Sequence, residues 1–283
     1  MNGIEIKELK EGVGAEVLGL DLNNLSNSDF SSIKDLFIKY GLIFFRDQSI
    51  SPDQHISFAE RFGEININRF FAKVEGYDQI AEVLKDEDQK LNIGGAWHTD
   101  HSYDEKPAMG SILVAKELPD EGGDTLFANM YLAYESLSEG LKETLGSLKA
   151  IHSSRHVFGE TSDYGELTKN RIRNPELATQ DAVHPIIITH PESGKKALYV
   201  NPSFTIGIEG WNEEESKALL DYLYSHAVKE ENVTRFKWKD GSVAFWDNRC
   251  TWHYALNDYA GKRRLMHRIT LEGSLIKGSR AVE

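Results

Sequence analysis

Apolar positions along this chain follow two periods. Residues 4–9 and 15–20 alternate as short strands do. Phe30, Ile33, Leu36, Phe37 and Tyr40 then recur at helical spacing, after Ser26 and Asp29 in capping-box positions and before Gly41, a helix-ending glycine. Leu42-Ile43-Phe44-Phe45 is an unbroken apolar run and predicts a buried strand. Ser51-Pro52-Asp53-Gln54 opens a second helix, expected to reach Phe62 and stop at Gly63. Residues 66–95 lose the pattern and read mostly as a loop able to cover a ligand. Strands are expected at 110–115 and 125–128, joined through the turn chemistry of 119–123, and helices at 131–137 and 138–148. Residues 155–180 are polar and aperiodic, a second lid candidate. Strands at 183–189 and 197–200 follow, linked through 190–194. A helix opens at Asn212 and Glu215, runs to about 229, and carries Leu219, Leu220, Leu223 and Tyr224 on its apolar side. The last strands are expected at 242–246, 251–255 and 264–272.

Strands dominate the middle and the end, and helices fall between them without βαβ alternation. The expectation is a single domain over 1–283, mainly β with helical flanks around an antiparallel jelly roll, rather than a doubly wound sheet. A chain of 283 residues, 40% hydrophobic and 27% charged, has the material for a packed core. The net charge of −13 argues against nucleic acid or an anionic membrane as partner, and leaves room for a local basic pocket. No apolar run approaches the ~18 residues of a membrane span, and residues 1–12 lack the pattern of a signal peptide. Cys250 is the only cysteine, which excludes internal disulfides and multi-cysteine metal sites and makes the cytoplasm the default location. Its plainer role is a buried thiol beside the distal histidine, not a nucleophile. There is no G-x-G-x-x-G or P-loop.

The candidate chemistry begins at Trp97-His98-Thr99-Asp100, a His-x-Asp triplet. Two histidines and one carboxylate on one face of a metal leave positions open and suit non-haem Fe(II) and dioxygen. On a strand or at its end, His98 and Asp100 share a side, and His253 is the best third ligand. The triplet alone is common, and His101 offers a rival zinc pair with His98, although no zinc-type spacing supplies its third ligand. Arg264 and Arg268 add to the picture. On one strand they point the same way as Met266, and inward guanidiniums call for anions. The bland alternative is a solvated basic face.

Taken together, these stretches resemble the taurine/2,4-dichlorophenoxyacetate dioxygenase family. They are Trp97-His98-Thr99-Asp100, the turn from Lys116 to Thr125, Tyr199-Val200-Asn201, Trp246-Asp247-Asn248-Arg249 with His253-Tyr254-Ala255, and Arg263-Arg264-Leu265-Met266-His267-Arg268. The resemblance covers about 15–275 and implies a double-stranded β-helix, Fe(II), 2-oxoglutarate and O2. It implies His98, Asp100 and His253 as iron ligands, Thr125 and Arg264 at the distal carboxylate of 2-oxoglutarate, and Arg268 at the anionic group of the substrate. The implied reaction hydroxylates a small organic anion and releases succinate and CO2. A dimer or tetramer is also implied.

Departures from the taurine pattern concern the substrate. Asn68 and Phe71 stand at a histidine and a tyrosine position, Gly94 at an asparagine position, and His101 where a small apolar residue is usual. Taurine is therefore not the expected substrate. Phe71, Phe158 and Phe204, with Tyr103 at the edge, are candidates for an apolar wall or for ordinary core. With Arg268 they suggest a carboxylate, sulfonate, sulfate ester or phosphonate with an apolar body. The alternatives are a non-catalytic β-barrel binding protein and a zinc hydrolase.

Overall fold

The computed structural model describes residues 4–10, 12–162 and 172–279. Their architecture is mainly β, with helices set between strands. Leu42–Phe45 shows why. All four residues are buried. Alternation along the strand sends Ile43 and Phe45 to a cluster with Ile33, Phe37, Phe58 and Phe245. Leu42 and Phe44 go to a second cluster with Phe127, Phe236, Trp246 and Met266. One apolar run thus feeds two cores, and each fully buried side chain of this size contributes about 1.5–3 kcal/mol.

This strand lies parallel to Ala15–Leu18 and antiparallel to Val243–Asp247. The parallel pair is joined through the helix Asn27–Tyr40. From Val243–Asp247 the sheet continues antiparallel through Gly110–Glu117, Arg264–Leu271 and Tyr77–Lys85. Among the described residues it counts nine strands. The helices Asn27–Tyr40 and Pro52–Glu60 contribute Ile33, Phe37 and Phe58 to the core on one face. The second face looks toward Thr125–Asn129, which is flanked by Val233–Phe236 and Thr251–Ala255. Phe127 and Phe236 from this smaller sheet meet Phe44, Phe236 stacking on it at 4.0 Å between ring centres. Two further three-stranded sheets comprise Asp181–Pro185, Lys149–Ser153 and Thr205–Ile208, and Lys196–Leu198, Ile187–Thr189 and Lys277–Gly278.

The expected capping boxes at Ser26, Ser51 and Asn212 are all present. Gly41 ends the first helix at φ 66, where a Cβ would also collide with Cys250 Sγ. Elsewhere the structure corrects the expectation. The loop expected over 66–95 is interrupted by the nine-residue strand Tyr77–Lys85. Both its faces mix polar and apolar residues, which hides the period. The second helix ends at Glu60 rather than near Gly63. The strand expected at 183–189 divides into Asp181–Pro185 and Ile187–Thr189. Of the second lid candidate, Arg155–Phe158 is a short helix, and 163–171 lie outside the described residues. No helix among the described residues is long and apolar enough to cross a membrane.

Candidate active site

A cavity of about 620 Å³ lies between the two main sheets, large enough for two small ligands at once. His98, Asp100, His253, Thr125, Arg264 and Arg268 line it, as do Asn68, Phe71, His101, Tyr103, Phe158 and Phe204. Every candidate residue read from the sequence reaches this one space.

The His-x-Asp stretch is not on a strand, contrary to the geometry expected for it. His98 forms an isolated bridge to His253 on the strand Thr251–Ala255, and Asp100 sits in the turn that follows. The two histidines exchange both backbone hydrogen bonds, at 3.1 and 2.8 Å, which brings their rings to 4.0 Å between centres. One potential ligand atom from each of His98, Asp100 and His253 lies within 4.8 Å of the others. His98 donates Nδ1–H to the Ala96 carbonyl at 2.8 Å, so its Nε2 lone pair is the one presented. Burial pushes the His98 and His253 imidazoles below their ordinary range, which keeps them neutral and able to ligate. Burial by itself raises the Asp100 carboxyl, but the neighbouring Arg268 guanidinium opposes it, and the group stays below its ordinary range. This donor set fits Fe(II).

Asp100 is oriented by Arg268 and by a residue that the sequence reading missed, Ser111. Ser111 Oγ donates to Asp100 Oδ2 at 2.9 Å, and Arg268 Nη1 donates to Oδ1 at 3.1 Å. Asn248 Oδ1 accepts from Trp246 Nε1 at 2.8 Å, and Asn248 Nδ2 reaches Ser111 Oγ at 3.5 Å. No local spacing signals Ser111, because its partner is reached across the fold.

The other end of the cavity presents a buried guanidinium beside a hydroxyl. Arg264, Met266 and Arg268 are buried while Leu265 and His267 are less so, which is the inward alternation expected. Arg264 Nε and Nη2 have no hydrogen-bond partner, and burial lowers the guanidinium from its ordinary value. Unpaired buried guanidinium N–H groups are costly unless an anion meets them. Trp238 Nε1, also absent from the sequence reading, donates to Thr125 Oγ1 at 2.9 Å. With that lone pair used, the Thr125 hydroxyl is free to present its O–H to an acceptor. Gly123 leaves room for Arg264, whose Cδ would stand 3.1 Å from a Cβ there.

Around the mouth, Phe71, Tyr103, Phe158 and Phe204 form one apolar cluster with Phe70, Ile93 and Ile172. The wall and the core reading of these aromatics are both realised, since the cluster is packed and also lines the cavity. Arg268 lies over the Phe71 ring at 4.5 Å. Gly94, at φ 80, lies against His98, and a Cβ would come within 3.3 Å of its Cε1. The rival zinc pair fails, because His101 turns to Asp104 and Asn68 instead of joining His98. A second close group, His190, Asp247 and Cys250, has its carboxylate committed to a two-pronged pair with Arg249. Cys250 is buried, and burial pushes its thiol up, which disfavours the nucleophilic thiolate.

Comparison with known proteins completes the description. Residues 5–270 match the family model described as taurine catabolism dioxygenase TauD, TfdA family. The chain is 33% identical to an alkylsulfatase of Acinetobacter baylyi, over 99% of this chain and 88% of that protein. It is 32% identical to an alpha-ketoglutarate-dependent sulfate ester dioxygenase of Pseudomonas putida, over 97% and 91%. A solved structure of a taurine dioxygenase from Burkholderia xenovorans superposes with a TM-score of 0.82 at 34% identity, covering 98% of this chain and 93% of that one.

Proposed function

The chain belongs to the taurine catabolism dioxygenase TauD, TfdA family, and on that premise we propose that it oxidises a small organic anion with an apolar body, a sulfate ester or sulfonate, at the expense of 2-oxoglutarate and O2. It is an Fe(II)- and 2-oxoglutarate-dependent oxidoreductase, in keeping with the relatives described above. The observation that carries the reading is the pairing, in one cavity, of a His-Asp-His donor set with the unpartnered guanidinium of Arg264 beside Thr125.

In this reading His98, Asp100 and His253 hold the metal. The Arg264 N–H groups and the Thr125 hydroxyl hold the distal carboxylate of 2-oxoglutarate. Bound Fe(II) supplies the dioxygen chemistry that couples decarboxylation of 2-oxoglutarate to succinate with oxidation of a substrate C–H bond. Arg268 meets the anionic group of the substrate, and Phe71, Phe158, Phe204 and Tyr103 receive its body and exclude water. Hydroxylation of the carbon that bears a sulfate ester oxygen gives an unstable product, which collapses to an aldehyde and sulfate. Taurine lacks the apolar body that this wall would bury. The two facing sheets support a double-stranded β-helix, with 1–283 as a single dioxygenase domain. A dimeric or tetrameric assembly and a cytoplasmic location belong to the same reading. The family and the 2-oxoglutarate-dependent relative support oxidative chemistry, so neither the binding protein nor the zinc hydrolase is favoured.

The test is anaerobic loading with Fe(II) and 2-oxoglutarate, then oxygen with a panel of alkyl sulfates, sulfonates and aryloxy acids. Succinate formation stimulated by one of these anions is expected. Succinate formation that no organic anion stimulates would overturn the reading.

A further inference from the structure

The wall that carries Arg264 holds a second buried cation, which the proposed reaction leaves unused. The strand Arg264–Leu271 pairs with Tyr77–Lys85 in a register that sets Arg268 opposite Ala81, Met266 opposite Val83 and Arg264 opposite Lys85. Directly opposed residues send their side chains to the same face of a sheet. Ala81, Val83 and Lys85 therefore form a row beside the inward row of Arg268, Met266 and Arg264. Val83 lines the cavity, and Ala81 joins the aromatic cluster at its mouth. Lys85 ends the row beside Arg264, and it is only 2% exposed.

Both cations border Tyr259. The Lys85 ammonium lies 4.4 Å from the centre of the Tyr259 ring and donates to the Tyr259 carbonyl over a long 3.4 Å. Burial raises the Tyr259 phenol, and the nearby Arg264 guanidinium opposes that rise. Neither cation forms an ion pair among the described residues. The acids of this region are engaged elsewhere, Asp86 with Arg263 at 3.1 Å and Asp124 with Arg235 at 2.7 Å. Burial lowers both Lys85 and Arg264 from their ordinary values, as it does for a cation taken out of water.

A carbonyl and an aromatic face satisfy part of the hydrogen bonding of an ammonium but leave its charge uncompensated. Two such cations buried on one wall are unfavourable until an anion meets them. Coulomb attraction falls only with the first power of distance and is weakly screened away from bulk solvent. Lys85 can therefore draw an anion held by Arg264 without touching it.

We propose that Lys85 is a cosubstrate-selecting residue, a second positive charge behind Arg264 that favours a 2-oxo acid ending in a carboxylate over one ending in a methyl group. The proposal rests on the proposed function, in which Arg264 and Thr125 take the distal carboxylate of 2-oxoglutarate. It adds a residue that acts through its field and not by contact.

Calorimetry on the full-length protein loaded with Mn(II) tests it without turnover. The probes are 2-oxoglutarate and 2-oxopentanoate, which carries a methyl group in place of the distal carboxylate. Lys85→Met keeps a long apolar stem and removes the charge, and Lys85→Arg keeps the charge. In Lys85→Met, 2-oxoglutarate is expected to bind about tenfold more weakly while 2-oxopentanoate stays within about twofold of the parent. Lys85→Arg should retain most of the 2-oxoglutarate affinity. Unchanged 2-oxoglutarate binding in Lys85→Met, or an equal loss for both acids, would overturn the proposal. Where 2-oxopentanoate binds too weakly to titrate, the two variants decide, and an equal loss of 2-oxoglutarate affinity in both counts against it. Thermal melts without any 2-oxo acid complete the test. An uncompensated charge predicts that Lys85→Met melts at or above the parent, whereas a variant that melts well below it or fails to fold assigns Lys85 to structure alone. Failure of the unaltered Mn(II)-loaded protein to bind 2-oxoglutarate would sink the proposed function itself, an outcome separate from how the variants rank the two acids.

Discussion

His98 and His253 exchange both of their backbone hydrogen bonds, so the two imidazoles are brought together by main chain and not by side-chain packing. Removing one ring therefore spares the link that positions it. For His98→Ala we expect a melting temperature within a few degrees of the parent, together with at least a hundredfold loss of iron-dependent succinate formation. Thermal melting and a metal titration on the same sample check both halves. A variant that still turned over would remove His98 from the metal site.

Ser111 holds the Asp100 oxygen that Arg268 does not. Ser111→Ala leaves that oxygen without its donor and frees the carboxylate to rotate. Partners of this kind are typically worth about 10–100-fold in metal affinity. We expect weaker binding of Co(II), read from its absorption bands, with 2-oxoglutarate affinity at saturating metal little changed. Unaltered metal affinity would make Ser111 a packing residue only.

Trp238 sets which way the Thr125 hydroxyl donates. In Trp238→Phe the hydroxyl loses that constraint, and the 2-oxoglutarate requirement is expected to rise about tenfold, the worth of one hydrogen bond. Arg264→Ala, which removes the charge itself, should raise it further. Steady-state kinetics at saturating substrate separates a KM effect from one on kcat. A change in kcat alone would reassign both residues.

His55 is fully buried on the inward face of the helix Pro52–Glu60, and burial pushes its imidazole down to about 3, with His267 and Lys116 adding to the effect. The folded state therefore disfavours the proton that the unfolded chain accepts near pH 6.5. Stability should be complete above that pH and fall as the solution is acidified toward 3, by about 2 kcal/mol between pH 6.5 and 5. Denaturant melts over this range measure the slope, and His55→Leu should flatten it. An unchanged slope in the variant would place the proton uptake elsewhere.

Much of this molecule is legible before any coordinates are known, and the physical reasons are local. A capping box such as Ser26 with Asp29 is written within four residues, and Leu42-Ile43-Phe44-Phe45 betrays burial on both faces by its composition. Tyr77–Lys85 escapes because neither face is uniformly apolar. Ile80 enters the core under the helices while its neighbour Ala81 enters the aromatic cluster, and buried Lys85 donates to the Tyr259 carbonyl. The ligands and Arg264 are visible because their chemistry demands particular residue types. Ser111, Trp238 and Asn248 take their meaning from partners elsewhere in the chain, Asp100, Thr125 and Ser111 respectively, which no spacing rule records. The turn at His101 was legible as a departure from a pattern, but its bond to Asp104 required the fold.

The pairing of Leu42–Phe45 with Val243–Asp247, about two hundred residues later, also bears on how the protein is made. During synthesis the early strand emerges long before its neighbour, with apolar side chains on both faces and one edge unpaired. Closure of the central sheet must wait for nearly the whole polypeptide, so folding is expected to be slow and dominated by non-local contacts. Because His253 and Arg264 arrive with that same late segment, the ability to bind metal and 2-oxoglutarate is gained only at the final step of assembly. A nascent chain halted short of it would present an aggregation-prone edge and no function.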